Sequence, residues 1–149
     1  MRVFRDINLD SSYIHFQAQR QEVEENVIEL LDEGLEFYTE MLETLDKTYH
    51  IGLEQYYDVL EIRSSDTKIR CALVSAQKCL LCLGDLARYK EMIQNTSNYG
   101  KARQYYQKAS HIDTRNAKPF NQLAILAWTA KRKFQFLNRI AIALSSVNF

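Results

Sequence analysis

Turn-forming residues are scarce in this sequence. Its 149 residues include only four Gly and one Pro, against average usage of about 7% and 5%. Sandwiches and barrels reverse direction about every 8–12 residues and need more turn residues than that. An all-α chain is what remains. The length suits one domain, since a single hydrophobic core serves roughly 100–200 residues. The 46% apolar and 26% charged content is ordinary for a globular protein. Three Cys, an odd number, and a charged opening (Met1, Arg2, Val3, Phe4, Arg5, Asp6) point to a reducing compartment, cytoplasmic and nuclear. The longest stretch without charge or His, Pro119–Ala130, is shorter than the roughly 20 residues a membrane helix needs, so no membrane partner is expected.

Periodicity divides the chain. Residues 1–15 show no clear repeat and read as a poorly ordered N-terminal arm. From about Phe16 to Thr48, Val23, Val27, Leu30, Leu31, Leu35, Phe37, Tyr38, Met41, Leu42 and Leu45 keep the 3–4 spacing of one buried helical stripe. Glu24, Glu25, Asp32, Glu36, Glu40 and Glu43 mark the opposite face, and Gly34 predicts a kink or close packing. A short helix fits Leu53–Ile62, and Ser64-Ser65-Asp66 offers a break and N-cap. Between Cys71 and Ala87 only Lys78 and Asp85 are charged, so the helix over Thr67–Ile93 belongs at the centre of the array. Three further helices are predicted over Tyr99–His111, Ala117–Ala130 and Lys133–Ser145, with Pro119 in the first turn of the second.

Charge is divided as sharply as structure. Residues 1–66 carry 5 Lys/Arg and 16 Asp/Glu, whereas residues 67–149 carry 14 and 3, so halves of −11 and +11 cancel. Two readings stay open: the basic half faces a polyanion, or acidic and basic helices of one bundle neutralise each other.

Within 99–130 the spacing resembles that of a tetratricopeptide repeat. Ala102, Tyr106 and Ala109 keep its small–large–small order, and Phe120, Leu123, Ala124 and Ala127 fit the helix that opens the next repeat. Leu83-Gly84 would open the preceding one, with an insertion near residues 91–98. Three segments then carry a resemblance. Leu83-Gly84-Asp85-Leu86-Ala87-Arg88-Tyr89-Lys90, then Asn98-Tyr99-Gly100-Lys101-Ala102-Arg103, then Asn116-Ala117-Lys118-Pro119-Phe120-Asn121-Gln122-Leu123-Ala124 follow in fixed order. Together they resemble the 14-3-3-like tetratricopeptide domain of the Est/SMG family, which contains telomerase-binding Est proteins and nonsense-mediated mRNA decay factors. The resemblance runs from about Ile28 to Phe149. Leu30-Leu31-Asp32-Glu33-Gly34 favours the member that also carries a PIN nuclease domain.

The resemblance implies an antiparallel helix array, a 14-3-3-like tetratricopeptide superhelix, with residues 16–149 forming part of a domain truncated at both ends. It implies binding rather than catalysis: a groove that takes phosphoserine on a phosphorylated Upf-type RNA helicase and recruits other decay factors. Arg88 and Tyr89 match the phosphate-holding Arg-Tyr pair of 14-3-3 proteins; Asn121 and Lys101 are candidates for further contacts to the peptide. A guanidinium offers phosphate a planar fork of donors. From the residues alone Arg88 reads first as a helix-end cation paired with Asp85, and it is the resemblance that favours phosphate binding. A second basic residue shares the phosphate in the family, and residues 1–27 do not resemble the region that supplies it. No PIN segment is recognised, so no nuclease activity is expected. Thr114 and Phe136 depart from the repeat pattern.

Other motifs are weaker. Lys131-Arg132-Lys133 reads as a helix–helix connection able to touch telomerase RNA or telomeric single-stranded DNA, the alternative function within the family. Cys79-x-x-Cys82 lies mid-helix in an apolar run, where Cys packs as a small hydrophobe. With His15, His50 and His111 scattered, neither a metal site nor a cofactor is expected.

Overall fold

A computed structural model describes residues 3–57, 66–96 and 98–146; side chains are described from residue 12 onward and, within the last helix, to residue 132 and at 134 and 135. Five helices and no strand make up the described residues: α1 (Val3–Tyr49), α2 (Leu53–Tyr56), α3 (Thr67–Gln94), α4 (Gly100–Ile112) and α5 (Ala117–Ser146). This is the all-α array that scarce turn residues predict. None of the helices is long and apolar enough to cross a membrane among the described residues.

α3 occupies the centre, between α1 on one side and α4 on the other, with α5 packed on α4. Its start is fixed as the sequence suggests: the Asp66 carboxylate accepts from the Lys68 amide at 2.8 Å, satisfying a donor that the helix itself leaves unpaired. Contacts run in opposite directions on neighbouring helices. Asp32, Gly34 and Tyr38 of α1 meet Lys90, Leu86 and Cys82 of α3 in descending order. Ala87, Gly84 and Gln77 of α3 meet Ala102, Tyr106 and Ala109 of α4 in the same way. Both pairs are therefore antiparallel.

Close approach depends on two glycines. A Cβ on Gly34 would lie 3.1 Å from Leu86 Cδ1, and one on Gly84 would lie 2.3 Å from Cε1 of the Tyr106 ring. The second distance is far inside van der Waals contact, so the fully buried ring sits in a notch that only Gly leaves open. Ala102 and Ala109, at 1% and 0% exposure, flank it. The small–large–small order is thus the geometry by which α4 reaches α3.

A buried amide closes the α4–α5 corner. Gln77 Nε2 donates to the carbonyls of Ala109 (2.8 Å) and Asp113 (3.3 Å), while its Oε1 accepts from Asn116 Nδ2 (2.8 Å). Those carbonyls belong to a helix end, where four acceptors lack intrahelical partners. Gln77→Leu leaves them buried and unpaired, so it should cost about 2–3 kcal/mol. Urea unfolding would show this as a lower midpoint at unchanged slope.

Where α1 ends, Asp46 Oδ1 accepts from the Leu53 amide (3.0 Å) and brings α2 under α4. Lys108 Nζ lies 4.3 Å from the Tyr57 ring centroid, and His111 Nδ1 meets the Tyr57 carbonyl. Burial, then the Glu54 and Asp46 carboxylates, push the Tyr57 phenol up to about 12 from 10.0. The unfolded chain therefore loses this proton first, and Tyr57 makes stability fall as pH rises from about 10 to about 12. Urea midpoints at pH 9 and 11.5 should differ less in Tyr57→Phe than in the parent.

Helix α1 begins at Val3, so helical backbone extends into the segment read as an arm. Two expectations differ from the structure. The single stripe on α1 is really two. Leu31 is buried and Leu35, Tyr38, Leu42 and Leu45 pack partly buried against α3, whereas Val23, Val27, Leu30, Phe37 and Met41 are exposed. And α5 runs unbroken through Lys131-Arg132-Lys133. Lys and Arg are good helix formers, and no Gly or Pro interrupts them. Residues 58–62 of the short helix, and Ser64 and Ser65, lie outside the described residues, as do the side chains of Lys133 and Phe136.

Candidate functional site: a braced arginine at the end of α3

The last three turns of α3 carry the candidate site. Arg88 follows Ala87, which is buried against Ala102 and Tyr106, so the backbone there is held against α4. Its side chain is only 16% exposed. Four neighbours surround the guanidinium. Asp85 Oδ1 lies 3.5 Å from Nη2, the Tyr89 ring centroid lies 4.3 Å from Cζ, and Met92 Sδ lies 3.6 Å from Nη1. The fourth is Tyr106. Its hydroxyl donates to the same Asp85 oxygen at 2.7 Å.

This arrangement leaves the guanidinium without a close ion pair. The Asp85 contact is long for an ion pair, and the oxygen involved already accepts from Tyr106. Arg88 Nε is buried without a hydrogen-bond partner, which costs free energy in a folded protein unless something fills it. Burial works against the Arg88 charge, but the Tyr106 and Tyr89 phenols outweigh it and its pKa stays above the ordinary value. The guanidinium is therefore a permanent charge in a partly desolvated setting. There, charge-assisted bonds to an oxyanion are stronger than on open surface.

The other predicted residues are distributed unevenly. Tyr89 is 46% exposed and forms one wall of the Arg88 stack. Lys101, in the first turn of α4, and Asn121, in α5, are both exposed. Among the described residues no hydrogen bond or ion pair joins either of them to Arg88 or Tyr89. Lys90 is committed elsewhere: its Nζ donates to Asp32 Oδ2 at 2.7 Å and ties α3 to α1. Lys131 and Arg132 are exposed on α5, and Arg132 stacks at 5.1 Å on Trp128. Of the Cys79-x-x-Cys82 pair, burial and the neighbouring Cys82 push the Cys79 thiol up, which favours the neutral thiol.

Sequence reasoning missed three participants and named a fourth, Asp85, only as a helix-end partner. Tyr106 is a core residue by spacing, yet its hydroxyl holds the acid that braces Arg88. Asp85 is visible three residues before Arg88, a spacing that places both on one helical face. Gln122, beside Asn121, is half-buried with Oε1 unpartnered, matched among the described residues only by Arg88 Nε. Trp128 is 62% exposed and four residues before Arg132, which is the signal for their stack.

Comparison with known proteins places the chain. Residues 6–94 match the family model described as telomerase activating protein Est1. The zebrafish (Danio rerio) telomerase-binding protein EST1A is 39% identical over 121 residues, covering 80% of this chain and 8% of that protein. Nonsense-mediated mRNA decay factor SMG7 of Danio rerio is 30% identical over 120 residues, 72% of this chain and 10% of the relative. SMG7 of Arabidopsis thaliana is 30% identical over 115 residues, 70% and 11%. The chain spans about a tenth of the length of these relatives. With the Est1 model covering more than half of its residues, the chain belongs to the Est/SMG family of telomerase-binding proteins and nonsense-mediated mRNA decay factors.

Proposed function

We propose that the chain is a phosphoserine-peptide-binding adaptor within a partial 14-3-3-like tetratricopeptide domain, covering residues 16–149. It would recruit decay factors to a phosphorylated Upf-type RNA helicase, in cytoplasm and nucleus. The supporting observation is Arg88, a mostly buried guanidinium with an unpartnered Nε and only a long contact to Asp85. Tyr89 adds an exposed phenol beside it. Lys101 and Asn121 would reach the peptide from the neighbouring helices. The role proposed is binding, with no catalytic step. Fluorescence anisotropy with a phosphoserine peptide, its unphosphorylated twin and an RNA of equal length tests the reading. Preference for the phosphopeptide supports it. Equal affinity for both peptides overturns it.

The second reading is a telomerase-associated nucleic-acid module, and a separate observation favours it. Arg132 stacked on the exposed Trp128, next to Lys131, interleaves cation and aromatic as single-strand binders do. Lys133 would extend the patch. On this reading RNA affinity falls steeply with salt, by a slope of about −0.7 per phosphate contacted, and Trp128→Ala weakens it.

A further inference from the structure

Helix α1 has an apolar face that α3 leaves largely uncovered, meeting it at Gly34 beside Leu86. Phe16, Val23, Leu30 and Phe37 repeat every seven residues, and Val27 and Met41 belong to the interleaved row with Arg20 and Gly34. All six apolar side chains are exposed, Leu30 by 65% and Val23 by 60%. Spacing of 4 and 3 along one seam is the pattern by which a helix seats a second helix, knobs into holes. The seam runs about 38 Å from Phe16 to Met41 at about 1.5 Å per residue. Contiguous exposed apolar surface of this kind marks an interaction site rather than scattered surface residues.

Charge selects the occupant. On the side of the seam away from α3, helical positions place Glu22, Glu29, Glu33 and Glu40, all exposed. From Phe16 to Met41 there are eight carboxylates and one cation, Arg20, which donates to Glu24 at 2.8 Å. A second copy docked on this seam would set one acidic row against another, and like charges across a helix pair set partner choice by repulsion. We propose that this face of α1 is a docking surface for an amphipathic helix whose apolar stripe is bordered by Lys or Arg. The inference stands apart from the Arg88 site and does not rest on phosphopeptide binding.

The test uses synthetic helices of about four heptads. One carries Leu at the seam positions and Lys beside them, the second exchanges those Lys for Glu, and the third scrambles the Lys peptide. Titrated into the full chain and followed by calorimetry, the Lys peptide should bind one to one. It should bind about tenfold or more tighter than the other two. In the double variant Val23→Glu/Leu30→Glu this binding should drop about thirtyfold or more, with melting temperature unchanged because both side chains are exposed. Equal binding of the Lys and Glu peptides overturns the proposal, as does equal binding of the scrambled one. A chain that sediments as a dimer alone, and as a monomer when Leu30→Glu is introduced, assigns the face to a second copy and also overturns it.

Discussion

Tyr106→Ala is expected to cost about 3–5 kcal/mol, a large part of the 5–15 kcal/mol that typically holds a domain folded. The ring is fully buried and fills the notch over Gly84. Ala removes its transfer free energy and leaves a cavity between α3 and α4 that rigid helix backbones cannot collapse. The hydroxyl contributes separately. Tyr106→Phe keeps the ring and loses the 2.7 Å bond to Asp85, for about 1 kcal/mol. Gly84→Ala approaches the same contact from the other side. Its methyl group would meet ring carbons at 2.3 and 2.6 Å, so the helices must separate, at about 1–3 kcal/mol or more. Chemical denaturation of the three variants should rank Tyr106→Ala worst and Tyr106→Phe mildest. If Gly84→Ala were neutral, the notch would not be what positions α4.

Arg88→Glu is expected to lower affinity for a phosphoserine peptide by about a hundredfold or more. It removes charge-assisted bonds and adds repulsion toward both phosphate and the adjacent Asp85. Arg88→Lys separates charge from shape. It keeps the cation but loses the planar fork and the stack on Tyr89, so affinity should fall about tenfold and remain measurable. The unphosphorylated peptide should respond to neither. Arg88→Lys should retain most of its stability because the cation beside Asp85 is kept, whereas Arg88→Glu sets two carboxylates together at a mostly buried position, so its folding is checked by circular dichroism alongside binding. Phosphopeptide affinity unchanged in Arg88→Glu would move the site away from α3.

The parts of the fold that depend on local chemistry were legible in the sequence. Asp66 caps α3 because a carboxylate before a helix has unpaired amides to meet. α3 lies at the centre because its residues are apolar nearly all round. The Ala102–Tyr106–Ala109 order locates the α3–α4 seam because small residues are the condition for close approach. Other parts depend on which neighbour each row of side chains meets. Two adjacent rows on α1 share 3–4 spacing, so pattern alone merges the row facing α3 with the row facing outward. A cationic triplet in α5 looks like a connection only if polarity is taken as a breaker, and breaking a helix needs Gly or Pro. The site divides the same way. Arg88 and Tyr89 stand out through a resemblance, but the Arg88 setting depends on Tyr106, which arrives from another helix. Lys90 reads as a solvated lysine in the sequence, and only the fold brings Asp32, 58 residues earlier in the chain, to it.

The stack of Arg88 on Tyr89 also determines when entropy is lost. A long, mobile side chain gives up about 0.5–1.5 kcal/mol of rotational freedom when a ligand immobilises it. Arg88 is already confined between an aromatic ring, a carboxylate and a thioether before any ligand arrives. That loss was incurred on folding. An oxyanion meeting this guanidinium therefore finds donors already ordered, and most of the electrostatic gain remains as affinity.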